Sequence, residues 1–114
     1  MSDISIFHNP RCSKSRETLS ILQDKGYQPN IILYLEQVPD AAMMRSVLVK
    51  LGLSASDILR RGEPEYKAHF KGITDEDELI SLMIRYPKVI ERPIVITGEN
   101  AVIGRPPEAV LALV

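Results

Sequence analysis

Cys12 is the only cysteine of the chain, and it lies in FHNPRCSKSR, residues 7–16, the most cationic stretch of the sequence. His8, Arg11, Lys14 and Arg16 are basic or can become so, and no acid interrupts them, although the whole chain carries 15 acids against 14 lysines and arginines. A thiol attacks and binds as its thiolate, and neighbouring positive charge favours that form. The ordinary alternative for a lone free cysteine is a buried structural role. NPRCSKSR supplies almost no apolar neighbours for such a core, so the stretch reads as a reactive, exposed thiol.

Composition limits what that thiol can belong to. At 114 residues the chain reads as one domain, residues 1–114, with its own hydrophobic core. A formal net charge of −1 removes the main electrostatic motive for a nucleic-acid or anionic-membrane partner. No apolar run approaches the ~18 residues of a transmembrane helix, and no early segment resembles a signal peptide, so the expected location is the cytoplasm. One cysteine permits no intrachain disulfide, and the two histidines besides it give no metal-ligand spacing. Neither a GxxxxGK[ST] loop nor a GxGxxG turn is present for a nucleotide.

The elements that must position Cys12 follow from periodicity. DISIF alternates Ile4 and Ile6 with Ser5 and reads as a short strand ending near Phe7. Asn9 and Pro10 turn the chain, and SKSRETLSILQDKG reads as a helix that starts near Cys12 or Ser13, buries Leu19 and Leu22, and stops at Gly26. NIILYL has the near-continuous apolar pattern of an interior strand covered on both faces. Met44, Val47, Leu48 and Leu51 make one helical stripe between Asp40, a cap, and Gly52, a stop. A short helix over SASDIL, loop and helical turns over RRGEPEYKAHFKGI, and a helix from Asp75 to Tyr86 ended by Pro87 come next. IVI and AVI flank TGEN as a hairpin, and PPEAVLALV forms a last helix. This order predicts an α/β protein of thioredoxin-like layout: a mixed four-stranded sheet flanked by helices, with a helical insertion between its β-α-β and β-β-α parts.

At the junction of the first strand and first helix, free backbone N–H groups and the positive helix end would stabilise a thiolate and hold an oxyanion beside it. Arg60, Arg92 and Arg105 stand beside breaks in structure and could neutralise such an anion. Single arginines are mostly solvated surface residues. Arg92 and Arg105 gain weight because each precedes a proline and together they bracket the hairpin. Arg61 competes with Arg60, and the residues alone do not separate them.

With these residues in hand, the chain resembles the glutaredoxin-coupled branch of the arsenate reductase family over essentially its whole length. HNPRCSKSR resembles that family's HNP-x-C-x-x-S-R loop, ILRRGEPEY the segment of its first substrate arginine, and ERPIVI and IGRPPE its two later arginine segments. The resemblance implies that Cys12 is the catalytic nucleophile, that Arg60 rather than Arg61 joins Arg92 and Arg105 in holding the oxyanion, and that His8 and Ser15 tune or organise the loop. It also implies a cis peptide before Pro93. Arg11 and Ser13 replace small residues of the best-known members, and the chain ends sooner than theirs.

The chemistry implied by the resemblance is attack of the Cys12 thiolate on arsenate, resolution by glutathione as cosubstrate, and reduction of the enzyme by glutaredoxin, with no tightly bound metal or organic cofactor. Ser15 excludes CxxC dithiol chemistry. Two other readings use the same loop. A monothiol oxidoreductase forming mixed disulfides needs Cys12 but has less need of three arginines, and a redox-regulatory protein-binding module would use the cationic loop for docking.

Overall fold

The alternation in ISIF produces strand β1, Ser5–Phe7, in the computed structural model of the chain, which describes residues 4–114; Asp3 of the DISIF segment lies outside them. The described chain forms two compact units, one running to Gln37 and resuming over Arg92–Val114, the other Val38–Glu91. In the first unit β1 is followed by α1, Ser13–Asp24, and β2, Asn30–Ile32, and the unit resumes with β3, Ile94–Ile96, and β4, Ala101–Ile103. The four strands form one sheet in the order β2-β1-β3-β4. β1 and β2 are parallel, which requires the crossover that α1 supplies, whereas β3 lies antiparallel to both β1 and β4.

Ile4, Ile6, Leu22, Val95 and Val110 form a buried cluster, with Leu19, Ile21, Val102 and Leu113 packed against it. Strand residues two apart share a face, so Ile4 and Ile6 meet the apolar stripe of α1 together. Fully burying a side chain such as Leu22 is worth about 1.5–3 kcal/mol, so this cluster anchors α1 to the sheet. Mixed sheet, crossover helix and terminal hairpin make the fold thioredoxin-like, as expected from the element order.

Two expectations fail in this unit. NIILYL is not an interior strand: β2 is three residues long and stands at the sheet edge, where Ile31 is 46% exposed. Its apolar run is used differently, because the chain turns after Leu33 and buries Tyr34 against Phe7, ring centroids 6.2 Å apart. The terminal helix is a 3-10 segment, Pro107–Ala112, in place of an α-helix. It still delivers Val110 to the core.

The helical insertion is the second unit. α2, Ala41–Leu51, buries Met44, Val47 and Leu48, leaving Leu51 half-buried, and ends at Gly52 with φ 70°. That left-handed conformation is open to glycine at low cost. A 3-10 turn, Ala55–Ile58, carries a Ser54–Asp57 capping box and precedes α3, Pro64–His69. α4, Glu76–Arg85, is capped by Asp75, carries three further acids in its first turn, and buries Leu79, Ile80 and Met83. Glu76 also accepts the Ala55 N–H at 2.9 Å, tying α4 to the turn. Among the described residues no helix is long and apolar enough to cross a membrane.

Asp40 accepts the Met43 N–H at 2.8 Å and satisfies one free donor at the start of α2. Asp40→Ala is expected to lower the unfolding free energy by about 1 kcal/mol, and Asp40→Asn by much less. Denaturant titration of both variants checks this; an unchanged Asp40→Ala midpoint would contradict the capping role.

Candidate active site

Strand register brings the loop and two arginines together. Phe7 pairs with Ile94, and Ile94 pairs with Ile103, so the chain leaves β1, enters β3 and leaves β4 at one end of the sheet. The loop after Phe7 carries Cys12, the segment before Ile94 carries Arg92, and the segment after Ile103 carries Arg105. The Arg92–Pro93 peptide is cis, as expected, and so is Arg105–Pro106.

Side-chain and backbone hydrogen bonds fix the loop in a single path. Asn9 Oδ1 accepts the Arg11 N–H at 3.0 Å and the Asn9 carbonyl accepts the Cys12 N–H at 3.0 Å, an asparagine turn that aims residue 12 at the helix start. Cys12 is the N-cap of α1, with extended backbone at φ −96° and ψ 122°. Ser15, fully buried, reaches back across the loop: its Oγ accepts the Asn9 N–H at 3.0 Å and shares a hydrogen bond of 2.6 Å with His8 Nδ1. Arg16 Nη1 donates to the Pro10 carbonyl at 2.9 Å. Asn9, a turn former by its sequence context, is thus also a loop organiser.

Cys12 is 8% exposed, which corrects the expectation of an exposed thiol. Polar groups stand beside it. Arg105 Nη2 lies 3.7 Å from Cys12 Sγ, and Arg105 Nε donates to the Arg92 carbonyl at 2.8 Å, so the two arginine segments are held to each other beside the thiol. Burial is the largest single influence on the Cys12 ionisation and pushes its pKa up. The Ser15 N–H, the Arg92 charge, the Lys14 N–H and the Arg105 charge act the other way, and together they bring the thiol below its ordinary value. The stabilising charges therefore come from Arg92 and Arg105. The Arg11, Lys14 and Arg16 side chains, to which the sequence reading gave this role, are exposed, and Lys14 approaches Glu17 at 3.9 Å.

His8 is 6% exposed, and burial, followed by the charge of Arg16, holds its pKa below the ordinary imidazole value. A neutral ring with one N–H can donate to, or accept from, the Ser15 hydroxyl. Of the six residues singled out from the sequence, Cys12, His8, Ser15, Arg92 and Arg105 belong to this first unit. Arg60 belongs to the second, where its guanidinium pairs with Glu63 at 3.0 Å and donates to the Lys88 carbonyl at 3.1 Å. Arg61 lies over the Tyr66 ring and donates to its hydroxyl at 2.7 Å. Among the described residues, no group of three or more His, Cys, Asp or Glu side chains is placed to hold a metal ion.

The ArsC family profile matches residues 7–113 of the chain. The chain is similar to the uncharacterized Escherichia coli K12 protein YfgD, 47% identical with 97% of this chain and 96% of that protein covered. It is 42% identical to the arsenate reductase of Haemophilus influenzae, with 96% and 97% covered. The solved structure of the Vibrio cholerae arsenate reductase superposes with a TM-score of 0.92 at 40% identity, covering 97% of each chain.

His8 makes a separate test of the loop. Its ring resonances, followed by NMR against pH, should titrate with a midpoint below 6.5. Because the unfolded chain takes up this proton first as pH falls, the associated stability is full above the unfolded midpoint of about 6.5 and is lost as pH falls toward the folded one. A ring that titrates at or above 6.5 would contradict the buried neutral imidazole.

Proposed function

The chain belongs to the ArsC family, and from that membership we propose that it reduces arsenate to arsenite through the Cys12 thiolate, with glutathione and glutaredoxin as electron donors. The observation that carries this reading is the Arg105 guanidinium at 3.7 Å from the Cys12 sulfur, beside the helix-start N–H groups. The same donors that favour a thiolate before reaction suit the oxygens of a tetrahedral oxyanion during it.

Arg92 and Arg105 hold arsenate oxygens with planar forks that match paired acceptors. Arg60 is assigned to the same anion by family resemblance. The thiolate attacks arsenic, a sulfur–arsenic bond forms, and one oxygen leaves as water after protonation. Glutathione then attacks the Cys12 sulfur; the sulfur–arsenic bond breaks with its electron pair on arsenic, releasing arsenite, and Cys12 is left as a mixed disulfide with glutathione. Glutaredoxin takes the glutathionyl group and returns the thiol. An external reductant is required because the chain has a single cysteine. His8 and Ser15 hold the loop in the attacking geometry. The cytoplasm, where glutathione and glutaredoxin keep thiols reduced, is the setting this chemistry calls for.

Monothiol exchange through mixed disulfides fits less well, because it has less need of the Arg92 and Arg105 charges held beside the thiol. Steady-state arsenate reduction, coupled to NADPH oxidation through glutathione, glutathione reductase and glutaredoxin, decides between the readings. Arg60→Ala, Arg92→Ala and Arg105→Ala should each lose about 1.5–3 kcal/mol of transition-state binding, roughly 10- to 100-fold in kcat/KM, while Arg61→Ala should lose far less. Cys12→Ser should be inactive. Arginine variants with unchanged arsenate turnover would reject the anion clamp.

A further inference from the structure

Of the six glycines in the chain, Gly104 alone has no room for a side chain. A Cβ built there would stand 2.5 Å from Thr18 Oγ1, 2.8 Å from Pro93 Cγ and 3.1 Å from Thr18 Cγ2, whereas the other five would meet nothing within 4 Å. Gly104 is not among the glycines with positive φ, so the requirement is space and not backbone conformation.

The crowded position joins the two halves of the thiol site. Thr18 is fully buried on α1, and its hydroxyl donates to the Lys14 carbonyl at 2.8 Å, within the turn whose N–H groups face Cys12. On the other side, the Gly104 N–H donates to the Pro93 carbonyl at 2.9 Å, and the next residue, Arg105, is bonded through Nε to the Arg92 carbonyl at 2.8 Å. The segments bearing Arg92 and Arg105 thus form one corner, and at Gly104 it packs tightly against Thr18 of α1. Thr18 has no easy retreat, being enclosed and already hydrogen-bonded, so a methyl group at 104 would move the corner away from the helix.

We propose that Gly104 is a positioning residue: its bare α-carbon lets the Arg92–Arg105 corner close on Thr18 and so seats the Arg105 guanidinium at the Cys12 sulfur. The proposal rests on the reading of Cys12 as the reactive thiol. The Arg105–sulfur separation of 3.7 Å leaves little slack, and a displacement of an ångström would end the contact.

The test is the ultraviolet absorbance of the thiolate against pH in wild type, Gly104→Ala, Thr18→Ala and the Gly104→Ala/Thr18→Ala double variant, each checked for folding by circular dichroism. Gly104→Ala should raise the ionisation midpoint, because the Arg105 charge withdraws. Removing Thr18 Oγ1 and Cγ2 in the double variant should return at least half of that shift toward the Thr18→Ala value. A merely structural glycine would not give this reciprocal pattern. A folded Gly104→Ala with the wild-type midpoint, or a double variant no closer to Thr18→Ala than the single one, overturns the proposal. Should Gly104→Ala fail to fold, the double variant must fold and titrate near Thr18→Ala; failure of either overturns it equally. Arsenate kcat/KM of the same proteins should fall and recover in parallel. Absence of arsenate turnover in wild type would remove the substrate assignment and leave the thiol titration to decide the role of Gly104.

Discussion

Cys12 is 8% exposed, and that burial by itself favours the protonated thiol over the thiolate. What offsets it comes from two places in the chain: N–H groups of residues 14 and 15 at the start of α1, and the guanidinium charges of residues 92 and 105. The first unit is arranged so that these two sources meet. The Phe7–Ile94–Ile103 row places three strand ends together, and the antiparallel insertion of β3 between β1 and β4 is what makes that row possible. A parallel β3 would begin at the opposite end and carry Arg92 away from the thiol.

The loop adds a second constraint, since a sulfur held by directional N–H groups is stabilised only where the loop puts it. Asn9 and Ser15 provide that placement through bonds on both sides of Cys12, and His8 joins them as a buried, neutral ring. Neutrality matters here, because a charged imidazole would have to be desolvated beside Arg16. The thiol gains its positive neighbours from Arg92 and Arg105. Charge and geometry are thus supplied by different residues.

Much of this was legible in the sequence because it depends on local rules. The cap Asp40, the stop at Gly52, the hairpin around TGEN and the strand-to-helix setting of Cys12 each follow from a few adjacent residues. What escaped depends on residues far apart in the chain. NIILYL reads as interior because it is apolar, yet its exposure was decided by a strand order that leaves β2 with one partner. The cationic loop appeared to supply the field on Cys12 because its charges are near in sequence, while the effective charges come from residues 92 and 105. The burial of Cys12 depends on segments distant in the chain, such as the one bearing Arg105, so the lack of hydrophobic neighbours in NPRCSKSR said little about it. Gly104 carries no local signature either, since its closeness to Thr18 exists only once the sheet and α1 are packed.

The claim on which the account stands is that Arg92 and Arg105 help hold Cys12 as a thiolate against the cost of its burial. Thiol ionisation followed by alkylation rate against pH, in wild type and in Arg92→Ala and Arg105→Ala proteins of verified fold, tests it most directly. The account predicts a wild-type midpoint below ~8.5, the ordinary free-thiol value, and a higher midpoint in each variant. A wild-type midpoint at or above that value, or variants that titrate as wild type does, would contradict it.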